Sequence, residues 1–466
     1  MAKRFRTCDL DQPYLLPPSL QDWLPSDHLA RFVADVTAQL DLQALYADYA
    51  RQDGRGLAAY HPLMMTRLLL YAYCLGQSSS RRIEKATYDD LGFRYLAADQ
   101  HPDHDTIAAF RQRHLSALAE LFVQALRLCQ RAGLVKLGNI AIDGTKLQAN
   151  ASTQRSVSYQ RLSEEEAQLQ ATVQQLLEQA QRTDEEEDQR WGVGQKADPL
   201  PADLADVESR LEKLRAAKRT LEQEAQQRLE EAARAYQPEK RRPGRPRKGE
   251  EVADPVEHQK QRRRWKRAKQ AALQPTRQYN FTDPDSRVMM DQGLKAFVQG
   301  YNAQVAADAE KQIIIAAEVT QQVTDREQLS PMAAQVRENV TAPPETITAD
   351  AGYWDTVSIR EVAATGVQVL VSPDGGRAAR EDGVLPAIRN ATAEKMRHVL
   401  QDGPGKLLYR MRAAIVEPIF AHIKQHRGFR RFALRGLEKV RSEWKLICLT
   451  HNLLKLFRHG AELAPA

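Results

Sequence analysis

The sequence predicts a mixed α/β fold in which a sheet flanked by helices follows an all-helical region and is interrupted by a coiled, basic insertion. Three observations predict this arrangement. Helical patterns fill the chain up to about residue 138, and strand-like apolar runs alternate with helical patterns after about residue 285. Between them, residues 160–235 contain almost no aromatic side chains. At 466 residues, the chain is long enough for two or three structural units.

Composition limits the classes of partner and the compartment. The 67 basic side chains exceed the 61 acidic ones, for a formal charge of +6, which permits nucleic acid as a partner. The four cysteines are far apart and form no C-x-x-C pair, so neither a disulfide framework nor a zinc ribbon is expected. No apolar run approaches the roughly 18 residues of a membrane span. We therefore expect a cytoplasmic protein with no membrane partner.

The first region, residues 1–138, is predicted to be a helical DNA-binding domain. "PLMMTRLLLYAYCLG" begins at Pro62 and is stopped by Gly76, and a long helical pattern runs from "DHDT" to Gly133. Helices punctuated in this way are typical of helix-turn-helix-like modules. An ordinary helical bundle with solvated arginines is the alternative interpretation. The arginines available for DNA phosphates are Arg81, Arg82, Arg111 and Arg113.

The sheet is predicted from five apolar runs. Residues 140–150 read as the first strand, "AFVQGYNAQVAAD" and "KQIIIAAEVTQQ" as two adjacent strands, and "ETITADAG" and "TGVQVLVS" as two more. A helix interrupted by Pro331 and a helix over residues 356–364 separate the later strands. The predicted main fold therefore comprises residues 139–155 and 281–466, with residues 156–280 inserted into it.

Two heptad patterns occupy the first part of the insertion. Their apolar residues recur three and four apart, and "SEEE" from Ser163 to Glu166 suggests a capping box. The pattern predicts either an antiparallel helical hairpin or a dimer seam. The residues concerned are Leu162, Leu169, Val173 and Leu176 in one pattern, and Leu204, Val207, Leu211, Leu214, Leu221 and Ala225 in the other.

A basic stretch closes the insertion. From Lys240 to Lys269 there are 13 Lys or Arg against four Asp or Glu, in a segment rich in Pro and Gly. Its "RPGRPRK" resembles the AT-hook, whose arginines follow the narrow minor groove of A·T-rich DNA. A disordered basic linker without sequence preference is the alternative. The residues assigned to DNA are Arg242, Arg245, Arg247 and Lys248.

Two predicted strands end in aspartates, at Asp143 in "IAIDGT" and at Asp350 in "TITADAG". Functional crevices of open α/β sheets lie beyond strand ends, so both carboxylates are candidates for one cleft. Glu417 in "VEPIFAHIK" is a third candidate, at the start of a predicted helix whose first turn contains Pro418. Three carboxylates suit a site for two magnesium ions that catalyses phosphoryl transfer. The alternative makes the aspartates turn residues and Glu417 an acid favoured by the helix dipole.

The motifs together resemble those of the DDE transposases of bacterial insertion sequences, in particular the subgroup with an N-terminal helical domain. The resemblance implies a ribonuclease-H-like fold for the catalytic domain and covers most of the chain. Its motifs are "LPPSLQDWLPSDHLARFV", the His61-Pro62 pair, "DHDTIAAFRQRH", "AIDGTKLQANAS", "DPDSRVM", "GYNAQVAAD", "TADAGYWD", "VEPIFAHIK" and "EWKLICLTHNLLKL".

The resemblance implies that Asp143, Asp350 and Glu417 are the catalytic and metal-binding acids, with Mg²⁺ as the cofactor and Mn²⁺ as its substitute. It also implies contacts to DNA from four residues. Three follow a Tyr-Arg-Glu-Lys signature, although Arg412 precedes Glu417 by one residue more than that signature has. The four residues are Tyr409, Arg412, Lys424 and Lys146.

The resulting expectation is a transposase that cleaves DNA at transposon ends and joins the freed 3′-hydroxyl to target DNA. Its partners would be double-stranded DNA, as terminal inverted repeats and target, and a second copy of the chain, since two ends must be paired. A metal-dependent nuclease of the same fold is one alternative, and an inactive transposase-derived DNA-binding regulator is another. A structural assembly protein built on the coiled region is a third, although it leaves the strand-end acids unexplained.

Overall fold

The computed structural model describes residues 19–50, 59–191, 202–235, 277–291, 293–374 and 391–459, together with Arg262, Trp265, Lys266, Ala268 and Lys269. The described residues divide into two compact units, one up to Asn150 together with the chain from Asp285, and one from Ala151 to Pro284. The AT-hook-like residues Arg242, Arg245, Arg247 and Lys248 lie outside the described part.

The described part of the chain up to Arg131 is helical, and its helices carry most of their apolar side chains on buried faces. Helix α4 begins at Pro62 and buries almost every residue, and α8 buries a stripe that includes Leu118, Phe122 and Cys129. The eight helices are α1 (Leu20–Trp23), α2 (Leu29–Ala38), α3 (Gln43–Ala50), α4 (Pro62–Cys74), α5 (Ser80–Asp89), α6 (Leu91–Leu96), α7 (His104–Arg113) and α8 (Leu115–Arg131).

The helical pattern from "DHDT" to Gly133 is two helices, not one. The break falls at His114, whose backbone leaves the helical conformation between α7 and α8. The His114 side chain is 3% exposed, stacks on Tyr49 and contacts the ring of Phe110. Burial of this imidazole between two rings accounts for a bend that periodicity alone does not reveal.

The main sheet has six strands. They are β1 (Asn139–Gln148), β4 (Arg287–Asp291), β5 (Ala296–Asp308), β6 (Ile314–Thr320), β7 (Thr346–Ala349) and β8 (Gln368–Val371). Strand β5 pairs antiparallel with β1, β4 and β6, whereas β1 and β7 are parallel, as are β7 and β8. The order β6-β5-β1-β7-β8, with β4 beside the first part of β5, is the mixed sheet of a ribonuclease-H-like fold, as predicted.

Helices cover this sheet and join it to the N-terminal helices. They are α11 (Leu329–Asn339), α12 (Thr356–Ala363), α13 (Ala391–Gln401), α14 (Pro404–Ala421) and α15 (Leu437–His459), and a π-helical turn, His422–His426, continues α14. Buried Trp444 of α15 donates its indole N–H to the backbone oxygen of Gln304 in β5, at 3.0 Å. The buried Arg427 side chain donates to the carbonyl oxygens of Tyr73 in α4 and Ile447 in α15. These contacts hold the N-terminal helices and the sheet in one unit.

The second unit contains α9 (Tyr159–Trp191), α10 (Ala202–Ala235) and a two-stranded sheet of β2 (Ser156–Ser158) and β3 (Gln278–Asn280). Leu162 of α9 packs with Leu214, Ala217 and Leu221 of α10. Glu166 of α9 pairs with Lys218 of α10 at 2.9 Å. The heptads therefore pack within one chain as an antiparallel hairpin.

Four local predictions are wrong. Asp143 does not end its strand, because β1 continues to Gln148 and stays paired with β5 over that length. Pro331 does not interrupt a helix, because α11 begins at Leu329 and Pro331 lies in its first turn, where no intrahelical partner for its nitrogen is needed. Ser163 does not cap a helix, because α9 begins four residues earlier and the Ser163 hydroxyl donates to the Tyr159 oxygen. Pro418 lies in the last turn of α14 and not in a first turn.

Within the described residues, no helix combines the length and apolarity needed to cross a bilayer.

Candidate active site

The register of the sheet brings two of the sequence-predicted acids to the same level of neighbouring strands. Ile142 of β1 is the parallel partner of Ala349 in β7, so Asp143, within β1, and Asp350, directly after β7, lie next to each other. Both strands are buried up to that point. The Asp350 carboxylate then accepts a hydrogen bond from the Gly352 N–H at 2.9 Å, in the short 3₁₀ turn Ala351–Tyr353.

The two carboxyl groups are electrostatically strained. Burial, and then the charge of Asp350, raises the pKa of Asp143 to about 7, although the Gly144 N–H and Arg412 favour its ionised form. Burial also raises the pKa of Asp350, and Arg412 opposes that shift. A raised pKa means that the ionised pair lacks sufficient compensating charge. The site therefore favours binding of a proton or another cation.

Arg412 is the basic side chain nearest to this pair. One of its terminal nitrogens lies 4.0 Å from Asp143 Oδ2, and its guanidinium carbon lies 5.5 Å from the centre of the Tyr409 ring. The Nε atom of Arg412 is buried and makes no hydrogen bond within the described residues. A buried donor without a partner is costly, so this nitrogen is suited to an additional acceptor, such as a phosphate oxygen.

A third aspartate at the site, Asp325, was missed by the sequence reasoning. It lies in the loop after β6, and its Oδ1 accepts hydrogen bonds from Asn302 and Gln304, both at 2.7 Å. Its charge contributes to raising the pKa of Asp143 and of Asp350. Strand β6 runs in the same direction as β1, because both are antiparallel to β5. The rule that selected Asp143 and Asp350, an acid directly after an apolar strand-like run, does not select Asp325, which lies five residues beyond the end of β6.

Glu417 occupies a different environment. It is exposed and lies thirteen residues after the first residue of α14, so the dipole at a helix start does not account for it. Pro418 is tolerated beside it because the carbonyl oxygen of Ala414, which loses its partner to the proline, accepts from Gln312 Nε2 at 3.1 Å. Across the described residues, no three His, Cys, Asp or Glu side chains form a group that could hold a metal ion. The structure thus pairs Asp143 with Asp350 and leaves Glu417 outside such a group.

Two lysines lie beside the aspartates. Lys146 of β1 is 3.3 Å from Asp325, and Lys424 donates to the backbone oxygen of Lys146 at 2.9 Å. Burial lowers the pKa of Lys424, and Lys146 is among the neighbouring cations that lower it further. Lys424 is seven residues after Glu417, which in a regular α-helix would place both side chains on the same face. Because Lys424 lies in the π-helical turn, this expectation does not apply.

The arginines assigned to DNA in the N-terminal helices have three different environments. Arg81 and Arg82 are exposed on α5. Arg113 is paired with Asp48 and lies over the ring of Tyr49. Arg111 is buried and donates to the carbonyl oxygen of Ser78. We leave Arg111 out of the proposed DNA contacts because its charge is withdrawn from the surface.

Two family comparisons bear on this arrangement. The family described as a transposase domain (DUF772) matches residues 18–113, and the family described as a transposase DDE domain matches residues 274–453. The matched segments together cover more than half of the chain and include Asp325, Asp350 and Glu417. The chain belongs to the DDE transposases of insertion sequences. No curated protein and no solved structure matches it.

The family matches leave part of the chain unmatched. Asp143 lies outside both matched segments, and so does most of the second unit. The connection between Asp143 and the matched DDE segment is therefore structural, through the pairing of β1 with β5 and β7. The N-terminal helices from α1 to α7 correspond to the DUF772 match.

Proposed function

We propose that this transposase cleaves DNA at the ends of its element and joins the freed 3′-hydroxyl to target DNA, with Asp143, Asp350 and Glu417 as its catalytic acids. The observation that carries the proposal is the pair of neighbouring aspartates, Asp143 within β1 and Asp350 directly after β7, whose carboxyl groups have raised pKa values. Such a pair costs folding free energy without a cation, and a role in chemistry accounts for its presence.

The donor atoms of the pair fit Mg²⁺, with Mn²⁺ as a substitute. Carboxylate oxygens are hard ligands, and the excess negative charge that raises the pKa of Asp143 favours a divalent cation. Asp143 and Asp350 would hold the metal, and Glu417 would complete the acid set from α14, the helix that packs against β1 and β7. A divalent ion bound there would lower the pKa of a water molecule and polarise the scissile phosphate.

Positively charged side chains around the pair suit a DNA phosphate. Arg412 has a buried Nε without a hydrogen-bond partner among the described residues, and Tyr409 supports its guanidinium. Lys146 and Lys424 would neutralise phosphates on either side of the scissile one. In the first step, an oxygen from water bonds to phosphorus and the 3′-oxygen of the transposon end leaves and takes up a proton. In the second step, that 3′-hydroxyl bonds to a target phosphate, and a target 3′-oxygen leaves.

Three further assignments belong to the proposal. The N-terminal helices would recognise the terminal inverted repeats, with exposed Arg81 and Arg82 on α5 and Arg113 at the end of α7. The insertion, including its basic segment, would hold flanking or target DNA, and two copies of the chain would pair the two ends. Since its substrate is the DNA of the cell, we infer that the protein acts in the cytoplasm, at the nucleoid.

The test uses a labelled oligonucleotide carrying one inverted repeat, a target plasmid and Mg²⁺. We expect the label to be joined covalently to the plasmid, and Asp350→Asn to abolish both hydrolysis and joining. Glu310→Gln, which alters an exposed acid in the turn after β5, is the matched control and should act like the wild type. Hydrolysis without joining would favour the nuclease of the same fold. Unchanged joining by the Asp350 variant would refute the assignment of the acids, and no reaction with the authentic repeat would favour the inactive regulator.

A further inference from the structure

We propose that Asp325 is a positioning residue for the active site. It holds Lys146 of β1 directly, and it holds the turn after Asp350 through Gln304. The inference rests on the proposed function, since it assigns Asp143 and Asp350 to the chemistry. Asp325, Asn302, Gln304, Tyr353 and Lys146 are called the Asp325 cluster below. All five side chains lie in one compact unit.

The contacts of Asp325 account for most of its hydrogen-bonding capacity. Its Oδ1 accepts from Asn302 Nδ2 and Gln304 Nε2, both at 2.7 Å, and from Lys146 Nζ at 3.3 Å. Asn302 and Gln304 are fully buried, whereas the Asp325 side chain is 25% exposed. The two amide nitrogens each have one other acceptor, so releasing the carboxylate would leave one N–H of each amide unsatisfied, and this holds Asp325 in place.

The cluster reaches the second strand through Gln304. The Gln304 amide oxygen accepts a hydrogen bond from the hydroxyl of Tyr353, which is fully buried. Tyr353 ends the 3₁₀ turn that follows Asp350, and its backbone N–H donates to the Asp350 carbonyl oxygen at 3.1 Å. The turn that orients the Asp350 carboxylate is therefore connected to Asp325 by two consecutive side-chain hydrogen bonds.

The cluster also reaches the first strand directly. Lys146 is three residues beyond Asp143 in β1, and its side chain is 13% exposed. Gly144 lies between them, and a Cβ atom added there would be 2.2 Å from Gln304 Nε2 and 2.8 Å from Asp325 Oδ1. Only glycine permits this close approach of β1 to the cluster. Asp325 thus contacts β1 directly and reaches the turn after β7 through Gln304 and Tyr353.

A role for Asp325 as a metal ligand is the competing interpretation. It is disfavoured because Oδ1 of Asp325 already has three donors, and the ammonium group of Lys146 also lies 3.5 Å from Oδ2. A carboxylate engaged in this way is suited to orient its neighbours.

The first measurement is amide hydrogen exchange of the full-length protein without DNA, which does not depend on catalysis. Asp325→Asn keeps the size of the side chain and removes its charge. We expect faster exchange at Gly352 and Tyr353 in this variant, with unchanged exchange in α9 and α10. Glu327→Gln, an exposed acid two residues further along the same loop, is the matched control and should leave all exchange rates unchanged. Unchanged exchange at the turn in Asp325→Asn would overturn the proposal.

The second measurement is single-turnover cleavage of a transposon-end oligonucleotide. We expect Asp325→Asn to slow cleavage about 10- to 100-fold with DNA affinity within about twofold of the wild type, since small displacements of reacting groups have effects of this size. Because Asp325 acts partly through Lys146, the double variant with Lys146→Met should lose less than the product of the two single losses. Strictly multiplicative losses would overturn the link to Lys146.

Two outcomes separate this inference from the proposed function. If the wild type cleaves DNA and Asp325→Asn cleaves as fast, the positioning role is refuted and the proposed function stands. If the wild type does not cleave, the proposed function fails, and the exchange rates still decide whether Asp325 holds the turn. If Asp325→Asn abolishes the Mg²⁺-dependent rise in melting temperature as completely as Asp143→Asn does, Asp325 is a ligand and the positioning role is wrong.

Discussion

The site formed by Asp143 and Asp350 and the helical hairpin of α9 and α10 contain carboxylates with opposite electrostatic environments. In the site, burial and the charge of Asp350 raise the pKa of Asp143 to about 7. In the hairpin, hydrogen bonds from Lys218 and Arg215 lower the pKa of Glu166. The ionised form of Asp143 therefore destabilises the fold, whereas the ionised form of Glu166 stabilises it. This contrast separates an acid retained for function from one retained for structure.

The surroundings of the two acids explain the contrast. Glu166 lies 2.9 Å from Lys218 and 3.2 Å from Arg215, both on the partner helix of the hairpin. Asp143 has one arginine at 4.0 Å and two further aspartates close enough to raise its pKa. Ion pairs along a helical hairpin need only the correct spacing of charges, whereas the site concentrates acids in one place in spite of their repulsion.

The largest expected effect is that of Asp143→Asn on catalysis. If Asp143 is a metal-binding catalytic acid, the substitution should reduce strand cleavage by at least about 1,000-fold, while the free protein becomes more stable. Cleavage of a labelled transposon end and urea unfolding of the same preparation measure the two effects. A variant that lost activity and stability together would indicate a structural role for Asp143 and remove the contrast with Glu166.

The control for that experiment is Glu166→Gln in the hairpin. Chemical strand cleavage of a transposon end already bound by the protein should stay within about threefold of the wild type, since none of the contacts of Glu166 involves the proposed catalytic acids. A loss comparable to that of Asp143→Asn would assign the hairpin a part in the reaction itself.

Five of the six strands of the main sheet were predictable, because apolar runs identify buried strands, whereas β4 (Arg287–Asp291) was not predicted. The strand over residues 140–150 and the one before Asp350 are both present, but Asp143 lies within its strand and does not end it. Asp325 was missed because it does not directly follow its strand but lies five residues beyond Thr320. Asp325 lies close to β1 because of the conformation of its loop, the absence of a side chain at Gly144 and the buried amides of Asn302 and Gln304. These are tertiary contacts, which local sequence patterns do not reveal.

The helix that carries Glu417 shows a second limit of the sequence. A proline after an acid favours a helix start, yet α14 begins at Pro404 and Pro418 lies near its end. The side chain of Gln312, more than a hundred residues earlier, satisfies the carbonyl oxygen that Pro418 leaves without a partner. Local propensity could not reveal this compensation, because it comes from the turn between β5 and β6.

The second prediction concerns pH. Because the pKa of Asp143 is about 7 in the folded protein and near 3.8 in the unfolded chain, its contribution favours folding below pH 4 and is lost as the pH rises to about 7. The stability of Asp143→Asn relative to the wild type should therefore increase over this interval. We expect a difference of about 2 kcal/mol above pH 7, since one pKa unit corresponds to ~1.4 kcal/mol and solvent screening removes part of the shift.

Urea unfolding at a series of pH values, in the absence of divalent ions, measures this difference. A relative stability that stayed constant from pH 4 to pH 8 would show that the Asp143 carboxyl group is not strained. In that case, the main electrostatic argument that Asp143 and Asp350 form a cation-binding pair would fail.

The smallest expected effect is that of Glu166→Gln on stability, and it should have the opposite pH dependence. Its pKa is lowered, so its stabilising contribution is present above pH 4.5, the ordinary pKa of a glutamate, and is lost as the pH falls below that value. The cost should be about 1 kcal/mol at neutral pH, because partly exposed ion pairs contribute ~0.2–1 kcal/mol each and Glu166 makes two. Hydrogen exchange in α9 and α10 measures the change locally. Since the cost arises from charge pairing, it should shrink in 1 M salt, where the screening length is about 3 Å. A cost that is independent of salt would attribute it to packing and not to charge.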